Sequence, residues 1–325
     1  AYSANDITPS ATGPNPSAST IGSDSMSITK SRSVTFFWEG EEIKATQSGN
    51  IYSQTLQNQF AQAMRTLVNE IEIDIANTYN SASRAYGTAG TTPFGTNLDE
   101  LAQIRKILVD NGAPLSDLQL VIDTTAGAKL RTLSQLTKAN EAGSTDTLRR
   151  GILLDVFGLA IRESAWVKSH TKGTGTGYLT NGAHTAGATT INVDTGTGTI
   201  VVGDVVTFGS DPNKYVVVEA LSAGTFKIAG PGLLKDVADN TAVTISNSYT
   251  ANMAFSRNAI HLLTRVPAMP PDGDSADDVT VVTDPVSGLN FQIAIYRQYR
   301  RIAFEVGIAW GVKSAKKEHI ALLLG

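Results

Sequence analysis

A long run of apolar residues at helical spacing, from Ser53 to Tyr86, constrains this chain more than any other feature. No glycine or proline interrupts it before Gly87. Its apolar positions recur at steps of three or four, the period of one helix face: Leu56, Phe60, Ala63, Leu67, Ile71, Ile75, Tyr79, Ala82 and Tyr86. The run predicts a continuous helix about 50 Å long. Since a usual helix has about 11–12 residues, this length favours the strut of an extended protein, with a core helix of a compact domain as the alternative.

The composition excludes several classes of protein. The chain has 325 residues, 41% hydrophobic and 17% charged, which is enough for a sizeable core in about two domains. A net charge of −4 with four histidines argues against a nucleic-acid reader, which needs a basic patch. Because the sequence has no cysteine, disulfides, zinc–thiolate sites and cysteine nucleophiles are excluded. No apolar run reaches transmembrane length, so we expect no membrane partner.

Two segments precede the long helix. Residues Ala1–Ser25 carry almost no large apolar side chain and cannot fold alone, so we expect a disordered tail or an arm lying on a neighbouring molecule. Residues Ser33–Trp38 are rich in strand formers, Glu39–Glu41 offer a turn, and Glu42–Thr46 return. This pattern predicts a β-hairpin with an aromatic stem and an acidic tip.

An α/β unit follows the long helix. Asn97 is a plausible N-cap for a helix that ends at Gly112, and Leu118–Asp123 is typical of a buried strand. Thr124 or Thr125 then caps a helix that runs to Leu136. Helix, strand and helix together indicate an α/β arrangement.

A further strand is predicted from Leu159 to Val167, after a stretch bounded by glycines. Asp155 and Glu163 are the carboxylates of this stretch. No cue in the sequence places them together as a general acid–base pair.

Short strands with turn signals fill Gly173–Asn247 and predict a small β-barrel or sandwich. The predicted strands are Thr189–Val193, Val205–Phe208, Tyr215–Ala220, Thr225–Ile228 and Ala242–Ser246. The Gly/Thr repeat at Gly173–Gly177 predicts a flexible joint, since it lacks the strand, helix and acidic residue of a dinucleotide loop. Because the α/β pattern resumes at Ala251, the segment is predicted to be an inserted domain.

Long antiparallel strands close the chain. They are predicted at Val279–Thr283, Leu289–Tyr296 and Ile302–Trp310, followed by a short apolar end. Ahead of them lies an acidic loop with Asp272, Asp274, Asp277 and Asp278, whose spacing is not that of a calcium loop. We expect this loop to be solvated. The four histidines show no ligand spacing, so no metal site or cofactor is predicted.

The order of these parts resembles the major capsid proteins of tailed bacteriophages, which have the Hong Kong 97 fold. Four local segments support the resemblance, because they are similar to segments of capsid proteins: GILLDVFGLAIRES, NMAFSRNAIHLLTRVPAMP, VTDPVSGLNFQIAIYRQY and FEVGIAWGVKSAKKEHIALLL. The β-rich segment is similar to the inserted barrel of the short-tailed-phage coat branch. The resemblance implies an α+β chain with an N-terminal arm, an extended β-hairpin loop, a long spine helix, an axial α/β domain, a peripheral domain and a small inserted all-β domain.

The resemblance also implies domain boundaries and contacts. The expected parts are the arm (1–26), the extended loop (27–50), the peripheral domain with the spine helix (51–96), the axial domain (97–176 and 251–275), the inserted β-barrel (177–250) and the long peripheral strands with the C-terminus (276–325). The expected intersubunit contact residues lie on the hairpin and on an arginine pair near the C-terminus: Phe36, Phe37, Trp38, Glu39, Glu41, Glu42, Arg300 and Arg301. No covalent cross-link is identified.

The implied function is structural and not enzymatic. Copies would form pentamers and hexamers of an icosahedral head, assembled in the host bacterial cytoplasm around double-stranded DNA that is bound without sequence specificity. Expected partners are further copies, a separate scaffolding protein, a portal protein and decoration proteins. Two alternatives stay open: an encapsulin-like nanocompartment shell that encloses enzymes, and an α/β enzyme with a carbohydrate-binding barrel, which would need a convergent polar cluster.

Overall fold

The structure is a computed structural model that describes residues 23–49, 51–138, 155–285 and 287–325. Most of the predicted arm (residues 1–22) and the start of the glycine-bounded stretch (residues 151–154) lie outside the described residues. The chain combines helices and sheets, as the sequence predicts. In the part described, no helix is both long and apolar enough to cross a membrane.

The elements are as follows. The helices are α1 (Gly40–Ser48), α2 (Tyr52–Ala76), α3 (Asp99–Asp110), α4 (Thr124–Arg131) and α5 (Ser134–Thr137), with 3₁₀ turns at Asn77–Ser81, Arg257–Ala259 and Lys317–His319. The strands are β1 (Lys30–Glu39), β2 (Arg84–Tyr86), β3 (Leu118–Ile122), β4 (Leu159–Glu163), β5 (Ser169–His170), β6 (Leu179–Thr180), β7 (Thr190–Asp194), β8 (Val205–Phe208), β9 (Lys214–Ser222), β10 (Thr225–Ile228), β11 (Val243–Ile245), β12 (Tyr249–Ser256), β13 (Ile260–Arg265), β14 (Asp278–Thr283), β15 (Asn290–Gln298), β16 (Arg301–Ser314) and β17 (Ile320–Leu324).

Five strands of the described chain form an antiparallel sheet, called the first sheet below, and α2 packs on one face of it. The strand order is β1–β16–β15–β14, with β13 paired to the end of β16. The buried stripe of α2 follows the predicted helical period. Its core consists of Ala63, Leu67, Ile71, Leu289, Phe291, Val306, Ile308 and Trp310.

The prediction of one helix from Ser53 to Tyr86 is wrong at its C-terminal end. The α-helix ends at Ala76, a 3₁₀ turn follows, and β2 pairs in parallel with β17 and antiparallel with β9. The Ser83 amide and hydroxyl both donate to the Ile320 carbonyl, each at 2.8 Å. Pairing with two distant strands therefore overrides the helical spacing of the last apolar residues. The helix that remains is about 37 Å long.

The predicted β-hairpin is also wrong. β1 forms, but Glu42–Thr46 lies in α1 instead of a return strand. A capping box starts this helix: the Glu39 carboxylate accepts from the Glu42 amide, and the Glu42 carboxylate accepts from the Glu39 amide at 3.1 Å. The strand partner of β1 is β16, paired in register from Lys30 to Glu39.

A second sheet carries the α/β part, in the order β4–β3–β12–β17–β2, with β9 continuing from β2. The pairs β3–β4 and β17–β2 are parallel. α3 and α4 pack on this sheet through Leu101, Ile104, Leu108, Ala126 and Leu130. β4 ends at Glu163, so the predicted strand to Val167 is too long.

Helix starts in this part differ slightly from the predictions. Asp123, not Thr124 or Thr125, caps α4, because its carboxylate accepts from the Thr125 and Ala126 amides at 3.1 and 3.0 Å. Asn97 accepts from the Asp99 amide at 3.1 Å, one position before the structural N-cap of α3.

The β-rich segment contains strands close to those predicted, and it has a core of its own. That core is lined by Tyr178, Ile191, Val193, Ile200, Val206, Phe208, Tyr215, Val217, Phe226, Ile228, Leu233, Val237 and Val243. Two strands cross the expected domain boundaries: β13 joins the first sheet, and β17 lies inside the second. The division into domains, including the insertion, stays a prediction.

Candidate interaction surface

One end of the first sheet brings together most of the predicted contact residues, and we call it the charged tip (Glu39–Ile43 and Arg297–Ile302). Glu39 of β1 lies opposite Arg301 of β16 in the strand register. The Gly40 amide donates to the Arg300 carbonyl at 3.0 Å. The two segments enclose an open cavity of about 870 Å³. Tyr299, in the turn between β15 and β16, is 88% exposed.

The charged tip carries opposite charges that face solvent. Within the described ranges, none of its charged side chains forms an ion pair: Glu39, Glu41, Glu42, Arg297, Arg300 and Arg301. Two guanidinium groups lie instead on aromatic rings, Arg301 over Phe37 at 5.1 Å and Arg300 over Tyr299 at 5.6 Å. Arginine and tyrosine are enriched at protein interfaces.

The aromatic stem behaves differently from the tip. Phe36 stacks on Phe304 and meets Phe60 edge to face, with ring centroids 5.3 and 5.2 Å apart. Trp38 is buried, and its indole N–H donates to Gln59 Oε1 at 2.5 Å. Phe36 and Trp38, two of the predicted intersubunit contact residues, therefore pack within their own chain, and their role between copies stays a prediction. Phe37 lies on the other face of β1 and is 51% exposed, and its predicted contact with a neighbouring copy stays a prediction.

A second exposed feature is β14, the outer strand of the first sheet. All six of its residues are exposed, and among the described strands it pairs with β15 alone. Val279 and Val281 project from one face and Val282 from the other, since side chains alternate along a strand. An exposed edge with apolar side chains can add a further strand.

The start of the described chain lies on β16. The Thr29 amide donates to the Trp310 carbonyl at 3.1 Å, and Lys313 contacts the Asp24 carboxylate. This hydrogen bond lowers the pKa of Asp24. The residues described before β1 therefore contact their own subunit, whereas the prediction for residues 1–22 concerns the part outside the described ranges.

A buried polar chain joins the β-rich segment to the second sheet. Tyr79 and His170 Nδ1 are 2.9 Å apart, and His170 Nε2 lies 2.9 Å from Asp204 Oδ1. The Asp204 carboxylate also accepts from the Gly173 and Val201 amides at 3.0 and 2.8 Å. Burial first, and the Asp204 charge second, raise the pKa of Tyr79, so this phenol keeps its proton.

This chain of hydroxyl, imidazole and carboxylate resembles a catalytic relay only in its order of groups. His170 is 5% exposed and Asp204 is fully buried, so no substrate reaches them. Every acceptor oxygen of Asp204 is occupied by a backbone amide or by His170. The arrangement is therefore structural, and it fixes the turn from Val201 to Asp204. The predicted joint at Gly173 is tightly packed by the same contacts.

The other carboxylates considered in the sequence do not converge. Glu163 pairs with Arg131, and Asp155 is exposed. In the ranges that the structure describes, no group of three or more histidine, aspartate or glutamate residues is arranged to hold a metal ion.

Sequence reasoning missed Tyr299 and Arg297 at the charged tip. A signal existed, because the stretch YRQYRR at 296–301 alternates aromatic and basic residues at the end of a predicted strand. Their position beside Glu39 and Glu41 follows from the pairing of β1 with β16, which the hairpin prediction did not include.

Solved structures of phage and shell proteins are similar to this chain. A structure from Mycobacterium phage Che8 has a TM-score of 0.49 and 12% identity, covering 92% of this chain and 71% of its own. The capsid structure of cyanophage P-SCSP1u has a TM-score of 0.44 and 13% identity, covering 97% and 80%. A virus-like particle from Pyrococcus furiosus has a TM-score of 0.38 and 12% identity, covering 90% and 75%. At these values the likenesses carry no assignment of function. No family model and no curated protein matches the sequence.

Proposed function

We propose that this chain is a major capsid protein whose copies assemble, as pentamers and hexamers, into a closed icosahedral phage head around double-stranded DNA. The proposal rests on the sequence resemblance described above and on one structural observation. That observation is the charged tip, where opposite charges that form no ion pair within the described residues lie on one exposed surface.

The chemistry of the charged tip favours contact with another copy of the same chain. Glu41 and Arg300 line the same cavity without forming an ion pair, so two copies can exchange these contacts. Exposed charge complementarity steers association and fixes the register of an interface. Tyr299 adds a large, rigid apolar surface to the contact.

A shell amplifies such weak contacts. Each exposed ion pair contributes about 0–1 kcal/mol, but a closed shell repeats the contact at every subunit, so its members dissociate far more slowly than a single pair. The exposed β14 edge would supply a second contact on the same sheet. Scaffolding, portal and decoration proteins would be the further partners.

The proposed wall encloses DNA without reading it. The net charge of −4 gives no general attraction to phosphate, in contrast with nucleic-acid readers. Localisation would be the virion, after assembly in the host bacterial cytoplasm. The alternative is a nanocompartment shell that encloses enzymes. The contents of purified particles, nucleic acid or protein cargo, distinguish the two shells.

Electron microscopy of the full chain, expressed alone and with candidate scaffolding proteins, tests this function. We expect closed particles built from pentamers and hexamers, and nucleic acid in particles from infected cells. Particles that contain protein cargo would instead support the nanocompartment. A chain that sediments as a monomer under all these conditions would contradict both shells.

A further inference from the structure

A small cavity lies on the face of the first sheet that is opposite α2. Two small residues make the space: Ala294 lies opposite Glu305, and Gly307 lies opposite Gln292. Alternation along β15 places Gln292 and Tyr296 on either side of Ala294, on the same face. The loop after β13, beginning at Pro267, covers them, and the cavity has a volume of about 180 Å³.

Two carboxylates meet at one phenol in this cavity. The Tyr296 hydroxyl lies 3.1 Å from Asp274 Oδ2 and 3.0 Å from Glu305 Oε2. The Tyr296 hydroxyl has a single proton to donate. The hydroxyl can donate this proton to only one of the two carboxylates. The facing oxygen of the other carboxylate then receives no hydrogen bond from Tyr296.

No basic side chain compensates this charge within the described residues. Neither Asp274 nor Glu305 forms an ion pair with lysine, arginine or histidine there. Asp274 Oδ1 accepts from the Ala276 amide at 2.7 Å, which holds the carboxylate in place and turns Oδ2 towards Tyr296. The two negative charges therefore approach each other without a cation from the protein.

An independent observation comes from Gln292. This side chain is only 9% exposed and lines the same cavity, and its Oε1 has no hydrogen-bond partner in the part of the chain described. A buried amide oxygen without a partner costs about 1–3 kcal/mol. Such an oxygen is also a ligand that Ca²⁺ accepts, together with carboxylates.

We propose that Asp274 and Glu305, with the Gln292 amide oxygen, bind a Ca²⁺ ion in this cavity. All three provide oxygen atoms, and hard cations prefer oxygen. Ca²⁺ suits the set better than Mg²⁺ because it accepts six to eight ligands in irregular geometry, whereas Mg²⁺ requires a near-ideal octahedron. The ion would join the loop before β14 to the sheet. The sequence did not indicate it, because the loop spacing alone is not that of a calcium site.

Metal binding to the unassembled full-length subunit tests the proposal. Tb³⁺, which replaces Ca²⁺ and luminesces when a nearby tyrosine is excited, is added and then displaced by Ca²⁺. We expect sensitised emission and a Ca²⁺ dissociation constant of about 10⁻⁴–10⁻³ M, the range of weak modules with few charged ligands. Glu305→Gln and Asp274→Asn should each weaken binding about tenfold or more, because each removes a charged ligand. Asp272→Asn, in the same loop, should leave binding unchanged.

A thermal unfolding series gives the second readout. Ca²⁺ should raise the melting temperature of the wild-type chain and of Asp272→Asn, and not that of Glu305→Gln. Circular dichroism checks the folding of each variant. If Glu305→Gln does not fold, Asp274→Asn takes its place in the thermal unfolding series. The proposal is overturned if Ca²⁺ displaces no Tb³⁺, if both variants bind as the wild type does, or if Mg²⁺ competes as well as Ca²⁺. None of these results depends on shell assembly.

Discussion

Replacing the fully buried Asp204 by alanine tests how the β-rich segment is attached. The carboxylate accepts hydrogen bonds from the Gly173 amide, the Val201 amide and His170 Nε2 at 3.0, 2.8 and 2.9 Å. Alanine leaves three donors without an acceptor, two of them buried and the Val201 amide partly buried. A buried donor without a partner costs about 1–3 kcal/mol. Partial relaxation and entry of water reduce the sum, so we expect Asp204→Ala to lower the free energy of unfolding by about 3–5 kcal/mol.

Urea unfolding of the unassembled subunit, followed by circular dichroism, measures this loss. Hydrogen exchange at Gly173 and Val201 locates it, since their amides should lose protection in Asp204→Ala. Asp204→Asn keeps one acceptor oxygen and should lose less. Asp194→Ala is the matched control, because this aspartate is exposed and lies in the same segment; it should change stability by less than about 0.5 kcal/mol. A loss below about 1 kcal/mol in Asp204→Ala, with protection retained, would refute the reasoning.

Two further predictions concern single residues. Trp38→Ala should destabilise the isolated subunit by about 3–5 kcal/mol, because Trp38 packs against Tyr52 of its own chain. Phe37→Ala, at the exposed neighbouring position, should cost about 1 kcal/mol or less. Equal losses of stability in urea unfolding would contradict this prediction. Asp123→Ala should cost about 1 kcal/mol by removing the N-cap of α4, and Asp123→Asn should restore most of it; a loss that asparagine does not restore would show that the cap is not responsible.

The sequence predicted best where a local pattern decides the structure. The strands Val205–Phe208 and Thr225–Ile228 have the predicted bounds, because alternating apolar residues and glycine turns determine them locally. α3 and β3 follow for the same reason. At Glu42–Thr46 the local signal was present and was misread, since the Glu39–Glu42 capping box and first-turn acidic residues favour a helix.

Features that depend on distant strands could not be predicted in the same way. Residues 84–86 continue the helical period of α2 but form a strand, because β17 and β9 provide partners. The charged tip requires the strand register that places Glu39 opposite Arg301, residues far apart in sequence. The proposed Ca²⁺ site likewise depends on the register that places Ala294 opposite Glu305. Register of this kind is a tertiary property.

Mixing two charge-reversed variants tests the central claim, that the charged tip joins neighbouring copies. Arg300→Glu and Glu41→Arg should each prevent assembly when expressed alone, because each places like charges together across the contact. Arg300→Glu should unfold within about 0.5 kcal/mol of the wild type, since the residue is exposed. Glu41→Arg should lose about 1 kcal/mol, because it removes an acidic residue from the first turn of α1, and the chain should still fold. Lys235→Glu, an exposed lysine in the β-rich segment, is the control and should assemble normally.

The decisive measurement is the yield of closed particles, by sedimentation and electron microscopy, after the two refolded variants are mixed. In the mixture, the acidic tip of one variant faces the basic tip of the other. Each chain by itself still carries charges of a single sign at positions 41 and 300. The proposal predicts that the mixture forms particles that neither variant forms alone. Normal particle formation by Arg300→Glu alone, or no particles from the mixture, would contradict a role for the tip between copies.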